Sequence, residues 1–374
     1  MVKKIKEEDY YDGYYHLGED MEACPEAWCY NIWSARGPGK TYSTLRYFCE
    51  RDIKFIYMRR RAKDIDRICK DNGDLDMSPF NPLNRDGITN NVRCFKTDDG
   101  FGVFSETHIE EDEKGKPQVE RDKDIGYIVA INSAYNFKGV DLSEVDVIIA
   151  DEYIPQPGEV CRKDEGVSLL NFYRTVERDR IRRGRGELKL IMLANAEDIT
   201  CAITNTMELV DDIAEMVLSG TEEWYNEKRG IYYHHLSAER YPVLDDYKKS
   251  GLYKAMSNTA WGAISYGGEF ARNDFTNVKF NDRKNMSCEI ELTYGQNKCY
   301  IYRSKNDGRF YVSHVKNKAK SKYNLNRDAE ARRFYIDWAL DLRQSFIFKE
   351  LVFEKYSYYD LIVNYEKHYK VTWK

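Results

Sequence analysis

The chain has 374 residues, 42% hydrophobic and 32% charged, with a formal net charge of −5. This is the composition of a soluble globular protein with length for two or three domains. No apolar run approaches the ~18–20 residues of a membrane span, and the charged N-terminus MVKKIKEEDYYDGYYHLGED lacks the apolar segment of a secretory signal. Nine cysteines, an odd number without close pairs, point to a reduced, cytosolic chain whose cysteines mostly fill cores. The charge is unevenly spread. Residues 277–374 carry 20 Lys+Arg against 12 Asp+Glu, whereas residues 1–276 carry 38 against 51. An acidic body with a basic C-terminal third suggests a polyanion partner at one end, or else a basic solubilising face.

In chain order, Trp28–Trp33 reads as a buried strand, followed by the loop SARGPGKT and a helix over Thr41–Glu50. Phe55–Met58 is a second buried run, leading into Arg59-Arg60-Arg61 and a helix. Residues 71–124 are turn-rich, with a hairpin near Val92–Phe104. Further strands are predicted at Ile125–Ile131, at Val145–Ala150 and at Leu188–Leu193, with a helix at Ser168–Arg182 before the last. Short apolar runs separated by helices predict an α/β fold with a mostly parallel sheet covered on both faces. The texture changes after about residue 220. Short helices are expected over 237–262, with a joint at Tyr266-Gly267-Gly268. The chain then turns to β, with SCEIELTYG and the hairpin CYIYRSKNDGRFYVSHV turning at Asn306-Asp307-Gly308. Helices at about 326–343 and 357–370 close it. This predicts three parts: residues 1–235, a helical linker over 236–276, and a small basic α/β domain over 277–374.

The loop SARGPGKT ends as a phosphate-binding loop does, in Gly39-Lys40-Thr41, but begins with Ser34 where the G-x-x-x-x-G-K-[ST] pattern has glycine. A strand before it and a helix after it aim backbone N–H groups at a phosphate. Ser34, Ala35, Arg36, Gly37, Pro38, Gly39, Lys40, Thr41 and Tyr42 are the candidate nucleotide-binding residues. Lys40 would reach the β- and γ-phosphates, and Thr41 would hold Mg²⁺ through its hydroxyl. Asp151 ends a buried strand 110 residues after Thr41 and is placed to support the metal. Glu152, next along and pointing the other way, would polarise a water. Asn195 ends the following strand, where it would sense the γ-phosphate. In the basic stretch Arg174–Arg185, Arg178 or Arg180 is a candidate to reach a neighbouring subunit's γ-phosphate, the alternative being a solvated helix face. Tyr10, Tyr11, Tyr14 and Tyr15 either stack an adenine or pack the sheet edge. His234-His235 reads as structural. In the C-terminal third, Arg303, Lys305 and Arg309 flank the hairpin tip. Lys316, Lys318, Lys320 and Lys322 follow at alternating positions, a spacing suited to successive phosphates of DNA or to a solvated loop.

Together SARGPGKTY, KFIYMRR, VDVIIADEYIP, SLLNFYRTVERDR and IMLANA, over residues 28–200, resemble the DNA-packaging (encapsidation) motor ATPases of small short-tailed double-stranded DNA phages. The resemblance implies a ring, expected to be a pentamer, that uses ATP and Mg²⁺ to drive double-stranded DNA through the portal (connector) into a preformed capsid. A packaging RNA is a possible further partner. The setting would be the host cytoplasm, transiently on the procapsid. It assigns Lys40 and Thr41 to phosphate and Mg²⁺, Asp151 to the metal, Glu152 to catalysis and Arg178 to action in trans, and matches Arg59-Arg60 to a subunit interface. The C-terminal domain then resembles a nuclease remnant. Glu289 and Glu291 are there without an aspartate beside them. Two alternatives stay open: a terminase-type ATPase with a live nuclease, and a nucleotide-gated DNA-binding adaptor with little hydrolysis.

Overall fold

The structure is a computed structural model, and it describes residues 13–69, 77–111, 116–137, 141–156, 158–237, 239–241, 243, 248–259, 262, 270 and 272–369. Tyr10, Tyr11, the expected joint at 266–268 and parts of the expected linker lie outside the described residues. The chain divides into two compact units. The first takes residues 1–207 and 219–272, the second residues 208–218 and 273–374.

Among the described residues the first unit holds one nine-stranded sheet. Its strands in chain order are β1 (Cys29–Ser34), β2 (Phe55–Arg59), β3 (Arg93–Lys96), β4 (Gly102–Glu111), β5 (Pro117–Ala130), β6 (Val147–Asp151), β7 (Lys189–Asn195), β8 (Glu223–Asn226) and β9 (Ile231–Leu236). Across the sheet the order is β3-β4-β5-β2-β6-β7-β1-β9-β8. The six strands from β5 to β9 in that order run parallel; β3, β4 and β8 pair antiparallel at the edges. Every residue of β1 and β6 is buried. Strands covered on both faces must be apolar throughout, which is why they read as unbroken hydrophobic runs. One cluster packs Tyr30, Ile32, Ile149, Ile191 and Leu193 against Leu45 and Phe48 of α2 (Lys40–Glu50). Each such side chain contributes roughly 1.5–3 kcal/mol on burial.

Helices α1 (Leu17–Ala23), α3 (Ala62–Ile68), α4 (Asn81–Arg85), α5 (Glu165–Glu177) and α6 (Ala202–Thr206) complete the described part of this unit, with a short α8 (Gly251–Met256). The helix expected over 168–182 starts earlier and stops at Glu177, because the chain leaves α-helical geometry at Arg178 (ψ 129°). Cys69, just after α3, and Cys94 of β3 form a disulfide, in contrast to the fully reduced chain expected; the other seven cysteines are free. Their separation of 25 residues conceals that α3 ends over the β3–β4 hairpin. Gly102 lies under both sulfurs, where a Cβ would collide with them.

The second unit carries α7 (Val210–Ser219), whose Asp211 accepts from Ser357 N at 2.9 Å. Its sheet has the order β13-β10-β11-β12-β14, from β10 (Met286–Tyr294), β11 (Asn297–Ser304), β12 (Phe310–Ser313), β13 (Ser321–Asn324) and β14 (Leu351–Phe353). The predicted hairpin is β11–β12. The helical closure is α9 (Asp328–Phe334), a π turn at Tyr335–Ala339, α10 (Leu340–Ile347), α11 (Tyr356–Val363) and α12 (Tyr365–His368). Ile290, Leu292, Ile301 and Val312 form its core with Phe334, Leu342 and Tyr365.

One buried ion pair ties α5 to the sheet. Arg60, 3% exposed, donates to Glu165 at 3.0 and 3.1 Å and to Glu159 at 2.6 Å. Arg60, matched by the motif to a subunit interface, finds these partners inside its own chain. Arg60→Met strands the Glu165 carboxylate, 2% exposed, in the interior. It should lower the urea-unfolding free energy by about 3–5 kcal/mol, with much of the loss regained in Arg60→Met/Glu165→Met.

Candidate functional site

The C-terminal ends of β1, β6 and β7 and the N-terminus of α2 enclose a pocket of about 310 Å³. It is lined by Arg36–Tyr42, Asp151, Glu152, Ala194 and Asn195. The sheet order makes this convergence: β7 lies between β6 and β1, so Ser34 pairs with Asn195 and Asp151 with Leu193 across adjacent parallel strands. The loop bends twice through left-handed backbone, at Gly37 (φ 102°) and Gly39 (φ 89°), and only glycine takes both without strain. Ser34 needs no such freedom. It is the last residue of β1, paired on both sides and fully buried, so a serine fits where the pattern has glycine.

Lys40 is 8% exposed. Its Nζ donates to Ser34 Oγ, to Ala35 O at 3.1 Å and to Asn195 Oδ1 at 3.3 Å. All three acceptors are neutral, so a buried ammonium points into the pocket without a carboxylate in hydrogen-bond contact. Thr41 Oγ1 donates to Asp151 Oδ2 at 3.1 Å, which unites the helix N-terminus with the end of β6. The same oxygen accepts from Tyr57 OH at 2.5 Å and Arg59 Nη1 at 3.3 Å, and Arg59 Nη2 donates to Glu152 Oε2 at 2.5 Å. Glu152 has φ 53°, a left-handed conformation that costs a residue with a Cβ about 1 kcal/mol or more. That kink brings its carboxylate to the same pocket as Asp151, where strand alternation alone would have sent it the other way.

The pocket therefore gathers Arg36, Gly37, Pro38, Gly39, Lys40, Thr41, Tyr42, Asp151, Glu152 and Asn195; Ser34 and Ala35 bound it through Lys40. It does not gather Arg178, which is exposed at the C-terminal end of α5. Arg180 is 2% exposed and holds Val145 O, Asp146 Oδ1 at 2.6 Å and Gly186 O at 3.1 Å, at the end of β6 opposite Asp151. Of the two arginines only Arg178 is available to a neighbour. Tyr14 packs on Gly39, and Tyr15 N donates to Pro38 O at 2.9 Å while its hydroxyl is buried against Asp20. His234, fully buried, also meets Asp20, at 2.8 Å. Tyr57 is a site residue that sequence reasoning missed, and Arg59, matched there to a subunit interface, instead contacts both pocket carboxylates. Their signal was position, at the end of the strand paired with β6.

No protein-family model matches the sequence, and no curated protein does. Solved structures do. A chain of the Phi-28 gp11 DNA packaging motor matches with TM-score 0.58 and 15% identity, over 96% of this chain and 98% of that one. A chain of the bacteriophage Phi-29 viral genome packaging motor assembly matches with TM-score 0.60 and 16% identity, over 95% and 98%. The chain has the fold of these packaging-motor proteins.

The second unit of this packaging-motor fold carries the basic candidates. Lys305, Lys316 and Lys318 are exposed, without an ion pair among the described residues. Arg303 lies 5.4 Å from the Phe310 ring centroid, and Arg309 pairs with Asp307 at 3.5 Å. Lys320 and Lys322 are not free: they pair with Glu289 at 2.8 Å and Glu291 at 3.4 Å.

Lys40 reports the pocket's electrostatics. Burial drives its ammonium from 10.5 down to about 8, against the pull of Asp151 and Glu152, which favour the charged form. The folded value lies below the unfolded one. Between them the folded chain binds fewer protons, so the cost of the buried charge is full below pH 8 and is relieved as the pH rises toward 10.5. Carbon NMR of the reductively methylated protein should show one lysine titrating near 8, moved lower still by Asp151→Asn; a midpoint near the ordinary ~10.4 would mean a solvated ammonium.

Proposed function

We propose that the chain is an ATPase that drives double-stranded DNA through a portal into a preformed capsid, acting as a homo-oligomeric ring with a pentamer as the expected form. The observation that carries the reading is the meeting of Lys40, Thr41, Asp151, Glu152 and Asn195 in one pocket at the strand ends. Support for the DNA-packaging context comes from the fold shared with the two packaging-motor chains. The residues fit a nucleotide. A buried ammonium with neutral partners lacks an anion, and two left-handed glycines open the backbone for close approach.

When bound, ATP with Mg²⁺ supplies the phosphoanhydride and a compensating divalent charge. The loop's N–H groups and the N-terminus of α2 bind the phosphate oxygens, with Lys40 holding the outer ones. Thr41 Oγ1 and Asp151, already in contact at 3.1 Å, would hold the metal between them. Glu152 is the acceptor that orients a water toward the outer phosphate. Asn195, bonded to Lys40, links the outer phosphate position to the end of β7. Arg178 stabilises the developing charge in the pocket of a neighbouring copy, since in its own chain it lies at the far end of α5. Exposed lysines of the second unit grip DNA phosphates, which gives affinity without sequence reading, as a motor for any sequence needs. The setting that follows is the host cytoplasm and, transiently, the procapsid, where a packaging RNA would be a further partner.

Phosphate release from ATP should be stimulated by duplex DNA and fall by about 10²–10³ in Lys40→Ala and Glu152→Gln, with Arg178→Ala inactive alone. Arg180→Ala should instead lower the melting temperature. Unchanged turnover in both pocket variants would defeat the assignment. Nucleotide-dependent DNA affinity without phosphate release would favour a gated adaptor, and metal-dependent plasmid cutting a terminase-type nuclease.

A further inference from the structure

Five charged side chains interlock on one face of the second unit's sheet. Glu289 and Glu291 lie on β10, 8% and 7% exposed. Glu289 accepts from Lys320 Nζ at 2.8 Å and from Ser287 Oγ at 2.6 Å. Glu291 accepts from Lys298 Nζ at 2.7 Å and faces Lys322 Nζ at 3.4 Å. β13 runs parallel to β10 with Lys322 opposite Glu291, and Glu291 in turn lies opposite Tyr300 of β11, away from the helical core. Burial would push the Glu289 carboxyl up; the hydrogen bonds from Lys320 and Ser287 outweigh it and hold the group below its ordinary range. The hydrogen bond from Lys298 does the same for Glu291.

The lysine run 316–322 is thus split by the sheet. Lys316 and Lys318 precede β13 and are exposed without an acid partner among the described residues, whereas Lys320 and Lys322 stand on buried carboxylates. A phosphate that approaches Lys320 must share the ammonium with Glu289, about 3 Å away, or displace a buried carboxylate from its closest cation. Like charges at such range repel. These lysines therefore release fewer counterions than their exposure suggests.

We propose that Glu289 and Glu291 are a built-in brake on polyanion binding, holding Lys298, Lys320 and Lys322 back so that the second unit grips double-stranded DNA weakly, through Lys316 and Lys318. Weak, exchangeable contact is what a strand moving past the protein requires. The proposal rests on the reading of this unit as DNA-binding and assigns its regulation.

The test is fluorescence anisotropy of a 30-base-pair duplex titrated with the full chain over a series of KCl concentrations. Glu289→Gln/Glu291→Gln should bind roughly tenfold tighter, with a log–log salt slope steeper by about three. Adding Lys298→Gln/Lys320→Gln/Lys322→Gln removes the released ammoniums and should return both quantities to the wild-type values. Lys316→Ala/Lys318→Ala should lose about two from the slope. Should the double glutamine variant fold poorly, Glu291→Gln alone should steepen the slope by about two. Glutamine variants that melt as the wild type does and bind no tighter overturn the brake, even if Lys316→Ala/Lys318→Ala weakens binding. Absence of duplex binding by every form at low salt overturns the DNA reading itself, and the brake with it.

Discussion

The hydrogen bond from Thr41 Oγ1 to Asp151 Oδ2 joins two points 110 residues apart, and the rest of the site depends on the geometry that permits it. A parallel sheet puts all its strand C-termini on one edge, and the order β6-β7-β1 sets three of those ends side by side. The loop after β1 then has one direction to turn. Left-handed backbone at Gly37 and Gly39 makes that turn, and the first residues of α2 arrive facing the end of β6. Lys40, Asn195 and the acidic pair follow from the same register.

Arginines decide which charges are available. Arg59 neutralises both pocket carboxylates, Arg60 is locked to Glu165, and Arg180 closes the opposite end of β6. Three residues that look alike in the sequence thus serve their own chain, Arg59 and Arg60 at the buried carboxylates of Asp151 and Glu165 and Arg180 at the half-exposed Asp146. Arg178 is the arginine that remains exposed in the TVERDR phrase. The second unit repeats the theme with opposite sign: two buried glutamates take up lysines that composition alone counts as free.

Much of the first unit was legible because its central strands are buried on both faces and so are apolar throughout. β1, β2, β6 and β7 were found within two residues at either end. β9 was missed because Tyr232, Tyr233, His234 and His235 carry polar atoms, although all but His235 are buried. The first half of β5, PQVERDKD, was missed because it is polar on both faces and takes its strand form from its pairing with β4. Within the site, the loop and the residues at strand ends were readable from motif and position. The kink at Glu152 was not, since a positive φ at a non-glycine residue is imposed by tertiary packing. Nor was the partner of each arginine or lysine, because a pairing such as Arg59 with Asp151 spans 92 residues and belongs to strand order.

The most direct measurement is a crystal structure of the chain with Mg²⁺ and a non-hydrolysable ATP analogue. The expected result is a triphosphate in the pocket between Arg36 and Asn195, its outer phosphate in hydrogen-bond contact with Lys40 Nζ and the metal on Thr41 Oγ1. Nucleotide bound elsewhere on the chain, with Lys40 still turned to Ser34 and Asn195, would contradict the account.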